Sequence, residues 1–288
     1  MQVTFLGTSA APSVPSPFCV CEACTGARRA GGKNLRKRSS IVVNDDLMVD
    51  IGPDVASASF DHDVSLTGID VCLMTHAHED HYDPEFIMSR HESYGTVLAN
   101  EMILAGSIDT LRIIDIDLSG RCAYGSIFDR QARRALRIDL LPLEPFEKQA
   151  VGNYRVTGYP ANHGTVKGAL LYAIEYGPNA IFYGTDTSVL PEHVWEHLLR
   201  AGTRFDLLIL DHTYGIGIEV SPPDHLASVD VIGHVDRFRC TGLLKDNARV
   251  YATHISHEGY LEHDELDAYA AANGYRIAYD GLSLVIES

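Results

Sequence analysis

The chain has 288 residues, and 39 acidic side chains against 23 Lys and Arg give it a formal net charge of −16 with His neutral. At 45% hydrophobic and 22% charged it is a globular composition large enough for a substantial core, which excludes intrinsic disorder, collagen-like repetition and a disulfide miniprotein. The charge also disfavours a long nucleic acid bound across a general basic surface.

The start, Met1-Gln2-Val3-Thr4-Phe5-Leu6-Gly7, lacks the basic and apolar regions of a secretory signal, so a cytoplasmic location is expected. No apolar run approaches the roughly 20 residues of a membrane-spanning helix. Apolar, β-branched runs predict strands at 3–6, 40–43, 47–51, 71–74, 136–141, 154–158, 169–175, 180–183, 207–210 and 249–252. Helical spacing falls at 84–93, 191–200, 225–238 and 263–273, with Pro84 and Pro191 suited to first turns and Gly274 to a stop. A last pair of strands, 275–278 and 282–286, flanks Asp280-Gly281, a hairpin-type turn signal. The strands arrive in two batches, each followed by helices. That order predicts an α/β fold with two sheets between helix layers, as one domain over 1–288. Residues 105–134 have mixed charge and no clean period, and are expected to form an insertion or lid.

Of the six cysteines, Cys72, Cys122 and Cys240 are scattered and read as small buried hydrophobes. Cys19, Cys21 and Cys24 form Cys-x-Cys-x-x-Cys within a Cys-rich segment, 15–38. In a reducing compartment such clustered thiols are metal ligands rather than disulfides. A tetrahedral zinc then needs one more ligand, a His or a Cys from elsewhere. The basic stretch 33–38 reads as a solvated loop, with a contact to substrate phosphate or RNA as the alternative.

Fourteen histidines are the unusual count, and four potential ligands fall within six residues in Thr75-His76-Ala77-His78-Glu79-Asp80-His81, directly after the strand 71–74. Imidazole and carboxylate at a strand end are what zinc, manganese or iron requires in a hydrolytic site. Four residues cannot close two metal spheres. His163, Asp186 and His254 each follow a later predicted strand and supply further ligands. Taken singly they could be a loop histidine, a helix N-cap and an edge residue. Their common placement favours one shared cleft.

The set His76-x-His78-x-Asp80-His81, then His163, Asp186 and His254, resembles the metallo-β-lactamase superfamily and its αββα sandwich over nearly the whole chain. The resemblance implies one metal held by His76, His78 and His163, a second by Asp80, His81 and His254, and Asp186 between them. It also implies that Asp50 orients metal-bound histidines, the alternative being a turn residue after a strand. Gly7-Thr8, Pro15, the three cysteines, Thr253-His254-Ile255-Ser256-His257 and Tyr279-Asp280-Gly281-Leu282 are similar to the PhnP subfamily of cyclic phosphodiesterases. That similarity implies a structural zinc on Cys19, Cys21, Cys24 and His257. PqqB-type proteins share the Cys-rich segment, which therefore does not settle function. His225, in Pro223-Asp224-His225-Leu226, matches a His that PhnP and tRNase Z enzymes place over the substrate phosphate, though the flanking residues differ. A surface His at the start of a helix is the alternative.

The function these features imply is hydrolysis of a small phosphodiester, such as phosphoribosyl 1,2-cyclic phosphate or a 2′,3′-cyclic nucleotide. Two divalent ions (Mn or Zn, with Fe an option) about 3.5–4 Å apart would supply a bridging hydroxide. His225 would assist departure of the alkoxide, and Asp80 joins it as a catalytic residue. A tRNase Z-like endoribonuclease, a lactone or thioester hydrolase and a non-catalytic PqqB-like biosynthesis factor are the alternatives. The expected partner is the small substrate alone, with neither membrane nor long nucleic acid, and a homodimer is the base-rate oligomer.

Overall fold

The computed structural model describes residues 1–121, 125–218, 223–259 and 261–287. Its strands are β1 (Gln2–Gly7), β2 (Ser40–Val43), β3 (Leu47–Val49), β4 (Val71–Leu73), β5 (Met102–Gly106), β6 (Ile138–Pro142), β7 (Lys148–Val151), β8 (Tyr154–Pro160), β9 (Leu170–Tyr176), β10 (Asn179–Gly184), β11 (Phe205–Asp211), β12 (Leu244–Thr253), β13 (Arg276–Ile277) and β14 (Ser283–Val285). They form two seven-stranded sheets, β14-β1-β2-β3-β4-β5-β6 and β13-β12-β11-β10-β9-β8-β7. The helices are α1 (Glu22–Ala30), α2 (Val55–Asp61), α3 (Pro84–Met88), α4 (Ile108–Ser119), α5 (Arg130–Leu136), α6 (Glu192–Ala201), α7 (Ser228–Cys240) and α8 (His263–Ala272).

Successive strand residues point to opposite faces, and here both faces are buried. Val71 and Leu73 of β4 enter the core between the sheets, as do Ile181 and Tyr183 of β10. Cys72 packs outward beneath Val55, Ile87, Leu111 and Leu118 of the first helix layer. Phe182 packs outward against Trp195, Val235 and Phe238 of the second. Burial on both sides explains why these strands read as continuous apolar runs. The result is an αββα sandwich, an α/β fold as the strand order predicts. Among the described residues no helix is long and apolar enough to cross a membrane.

Several local expectations change. Within 105–134 the described residues include parts of the sandwich itself: Ala105 and Gly106 end β5, which pairs between β4 and β6, and Leu111, Ile114 and Leu118 of α4 are fully buried. The strands at 275–278 and 282–286 do not pair as a hairpin. Ile277 lies parallel to Ala252 in one sheet and Leu284 antiparallel to Val3 in the other. Gly281, at φ +84°, turns the chain across between the sheets and donates its N–H to Phe5 O at 2.8 Å. The stretch 33–38 is not a solvated loop. Arg36 is buried and donates to Thr8 Oγ1, Ala278 O and His263 Nδ1, while Lys37 and Arg38 pair with Asp61 and Asp54. Cys72 is buried as expected but Cys240 is exposed, and Cys122 lies outside the described residues.

Candidate metal centre

β4 of the first sheet and β8, β10, β11 and β12 of the second all deliver polar residues to one edge. Leu170 N donates to Thr75 O at 2.9 Å and Tyr172 Oη to Met74 O at 2.5 Å, joining the end of β4 to the start of β9. This is the carboxyl edge of the parallel strands, where backbone direction changes and side chains are free to converge.

His76, His78 and His163 bring ligand atoms within 4.8 Å of one another, and Asp80, His81, Asp186 and His254 do the same. Asp186 lies between the two groups. Its Oδ1 is 3.8 Å from His163 Nε2, 4.0 Å from His76 Nε2 and 3.3 Å from His254 Nε2, and its Oδ2 is 3.1 Å from His81 Nε2. Asp80 Oδ2 stands 3.2 Å from His81 Nε2 and 3.5 Å from His254 Nε2. His78 Nδ1 is 3.4 Å from His163 Nε2; the His78 side is exposed while the rest of the set is buried.

Hydrogen bonds behind the rings fix which nitrogen faces inward. Asp50 accepts from Thr75 N, Thr75 Oγ1 and His81 Nδ1, the last at 2.7 Å. With its only proton given to Asp50, Thr75 Oγ1 can only accept from His76 Nδ1 at 3.0 Å. Asp50 therefore directs the Nε2 lone pairs of both His76 and His81 toward the cluster. A second chain repeats the device: His254 Nδ1 lies 2.8 Å from Thr213 Oγ1, which donates to Asp211 Oδ1 at 2.9 Å. His163 Nδ1 donates to Asp224 O at 2.9 Å. Gly52 is needed because the motif loop lies against it; a Cβ there would sit 2.2 Å from Asp80 O. Asp50, Asp186 and His254 all adopt positive φ, at +63°, +57° and +60°. Left-handed backbone at three non-glycine residues is strain concentrated at one site.

The set fits metal ions. Among the described residues, His76 Nε2, His81 Nε2, His254 Nε2 and Asp186 Oδ2 are buried without a hydrogen-bond partner, so lone pairs face lone pairs at 3–4 Å. Burial opposes a charge on His81, yet Asp186, Asp80 and Asp50 together raise its pKa well above the imidazole range. Burial likewise opposes the charge on Asp186, but His254 and His81 hold it well below the carboxylate range. The cluster is short of positive charge, and Nε2, Nδ1 and carboxylate donors are what a divalent ion takes.

His225 overlooks this cluster. Its ring centroid is 4.9 Å from that of His163 and 5.1 Å from that of His254, on which it stacks. Its Nδ1 lies 2.9 Å from Asp211 Oδ2, and among the described residues Nε2 has no hydrogen-bond partner. Burial pushes the pKa of His225 down, but the Asp211 charge and hydrogen bond outweigh it and carry the value up to about 9. It precedes α7 by three residues rather than opening the helix, because Leu226 N and His225 Nδ1 are both held by Asp211.

A family model for the beta-lactamase superfamily domain matches residues 46–255, a span running from before Asp50 to just past His254. The chain belongs to the metallo-β-lactamase superfamily. Similar solved structures share the whole fold. A diphosphatase from the PhnP family aligns at TM-score 0.71 and 21% identity over 99% of this chain and 98% of its own. Zinc-bound PqqB from Methylobacterium extorquens aligns at 0.74 and 18% over 99% and 100%. Among curated proteins, the Neurospora crassa endoribonuclease ysh-1 is 26% identical over 179 residues, 59% of this chain. The match spans only 20% of that relative's length.

In this member of the metallo-β-lactamase superfamily the cysteine segment forms a second candidate centre. Cys19, Cys21, Cys24 and His257 place their ligand atoms within 4.8 Å of one another. His257 Nδ1 is 3.4 Å from Cys21 Sγ and 3.6 Å from Cys19 Sγ, close to the ligand–ligand edge of a tetrahedron with Zn–S of about 2.3 Å and Zn–N of about 2.1 Å. The Cys24 N–H and then His257 lower the Cys21 thiol to about 6, toward the thiolate that binds metal. Burial pushes Cys24 up to about 11. Ile255 lies between His254 of the main cluster and His257 of this one, and it is fixed by donating its N–H to Thr8 O and accepting from Ala10 N.

Every residue expected in the two clusters is thus brought to one of them, with Asp50 and His225 against the larger. Asp211, Thr75 and Thr213 are additional. Asp211 carries a signal the sequence does contain, a lone acid ending an apolar strand, the same signature as Asp186 two residues beyond β10. The two threonines carry none, because only their neighbours give them a role.

Proposed function

We propose that this protein is a metal-dependent phosphodiesterase acting on a small, preferably cyclic, phosphodiester. The observation that carries the reading is the placement of His225 over the line between the two ligand groups, with Asp211 behind it. Hydrolysis of a phosphodiester expels an alkoxide, which needs a proton, and His225 Nε2 is the group positioned to give one. His76, His78 and His163 would hold one divalent ion and Asp80, His81 and His254 the other, with Asp186 reaching both. A pair of such ions would make water nucleophilic near neutral pH and offset charge on the phosphate oxygens. Asp211 keeps His225 protonated and aimed, while Thr75 and Thr213 keep the ligand histidines in the tautomer that presents Nε2. Exposed His78 marks the open side, where a small substrate enters. Cys19, Cys21, Cys24 and His257 would hold a structural zinc that braces the segment bearing His254.

The likeness to a PhnP-family diphosphatase supports phosphoryl chemistry. The partial likeness to an endoribonuclease supports an RNA phosphodiester as the second reading, which the −16 charge disfavours. The test is turnover by the manganese- or zinc-loaded protein of bis(p-nitrophenyl) phosphate, phosphoribosyl 1,2-cyclic phosphate, 2′,3′-cyclic nucleotides, a tRNA precursor and a lactone. Turnover of the cyclic phosphates is the expected result; turnover of the lactone alone would refute the proposal.

A further inference from the structure

We propose that Asp224 and Tyr214 form a subsite for sugar hydroxyls at the rim of the metal cluster, selecting phosphodiesters carried on a sugar ring. The inference rests on the phosphodiesterase reading and extends it to the part of the substrate that is not phosphate.

The backbone places Asp224 against the cluster. Its carbonyl accepts the His163 Nδ1–H at 2.9 Å, and the preceding carbonyl, of Pro223, accepts Gly164 N–H at 3.2 Å. A Cβ built on Gly164 would lie 3.8 Å from Asp224 Cβ, so the side chain projects beside the ligand-bearing loop. His225 follows directly. Tyr214 is held by its N–H to Leu226 O at 3.1 Å, with its ring edge-on to His225 at 5.8 Å. Its hydroxyl donates to Asp224 Oδ1 at 3.2 Å. Both side chains are half-buried.

A carboxylate is an odd neighbour for a phosphate site, since like charges repel. Among the described residues Asp224 makes no ion pair with Lys or Arg that would neutralise it; its side-chain hydrogen bond is to Tyr214. Tyr214 spends its one proton on Asp224, so the pair offers the second carboxylate oxygen and the phenol lone pairs, all acceptors. A phosphodiester group is itself acceptor-only and cannot satisfy them. Hydroxyls can, and a carboxylate holding ribose hydroxyls beside a phosphate is a recurrent solution in nucleotide sites. A polar site of this kind rejects substrates that leave its groups unpaired.

The experiment compares kcat/KM for phosphoribosyl 1,2-cyclic phosphate with that for bis(p-nitrophenyl) phosphate, which has no hydroxyl, in wild type, Asp224→Ala, Asp224→Asn and Tyr214→Phe, with metal content measured in each. Asp224→Ala is expected to lower the sugar-to-aryl ratio by about tenfold or more, the value of a hydrogen bond to a charged group. Asp224→Asn, which keeps an acceptor, and Tyr214→Phe should lower it less. A ratio within twofold of wild type in all three variants overturns the subsite. So does an equal fall on both substrates, which would show the Asp224 side chain acting on the cluster rather than on the sugar. An Asp224→Asn loss as large as that of Asp224→Ala would mean that charge matters, overturning hydroxyl recognition in favour of a cationic group. Wild-type protein inert toward both substrates refutes instead the phosphodiesterase reading beneath it.

Discussion

Asp211 Oδ2 lies 2.9 Å from His225 Nδ1 and also accepts the backbone N–H of Asp186 at 3.0 Å. One carboxylate oxygen therefore positions both the proposed acid and the left-handed turn that presents the ligand between the metal groups. Its other oxygen takes Thr213 N, Thr213 Oγ1 and Leu226 N, so the buried charge is fully satisfied.

Asp211→Asn should consequently cost turnover before it costs metal. An amide nitrogen facing His225 would meet a donor with a donor. Phosphodiester kcat should fall about 10²- to 10⁴-fold, the usual worth of a positioned acid. The alkaline limb of the pH profile should also move to lower pH, because Asp211 is what raises His225. Steady-state kinetics with metal analysis checks this; an alkaline limb that stays in place would remove Asp211 from the proton transfer.

Asp50→Asn attacks the tautomers instead. Asp50 sits behind both His81 and, through Thr75, His76. Loss of its second acceptor oxygen should weaken metal binding by about 10- to 100-fold, measurable by competition with a chelator of known affinity. Unchanged affinity would assign Asp50 to the fold alone.

Cys21→Ser should remove one zinc per chain, and His257→Ala should do the same from the other side of the site. Both should lower the melting temperature, since Ile255 connects the segment to Thr8 and Ala10. Zinc content equal to wild type in both variants would refute the structural site.

Acid should destabilise the fold through two buried histidines. Burial holds His212 and His263 down to about 4, and His263 Nδ1 must stay unprotonated to accept from Arg36 Nη2 at 2.9 Å. Between the ordinary value of 6.5 and 4, the unfolded chain binds more protons than the folded one. Their contribution is thus complete above about pH 6.5 and is lost as pH falls to 4. Asp280 works oppositely: burial raises it to about 6, so its contribution is present below its unfolded value and lost as pH rises through 6. Urea midpoints at pH 7.5, 5.5 and 4.5 should fall across the series for wild type and fall less for His263→Gln. Identical slopes would exclude His263 as a source.

The sequence already showed the spacing His76-x-His78-x-Asp80-His81, because four ligands on one strand-to-loop turn are a local pattern. It also showed His163, Asp186 and His254 as isolated polar residues closing apolar strands, and the three clustered thiols. The two-residue turn signal Asp280-Gly281 was legible too, but not its meaning. A turn looks the same whether the next strand pairs with its neighbour or crosses to another sheet. The burial of α4 in the 105–134 segment and that of Arg36 share that cause: α4 packs on a sheet built elsewhere, and Arg36 depends on Ala278 and His263 more than 220 residues away.

Residue identity and local spacing alone determined the chemistry: which side chains can bind metal, and that they sit at strand ends. Only the tertiary structure decided that these ligands converge on one edge, that Asp211 stands behind His225, and that Asp224 pairs with Tyr214 beside them. These depend on which strand edges the two-sheet closure brings together, and that pairing is fixed by burying both faces of each sheet, a constraint distributed over the whole chain.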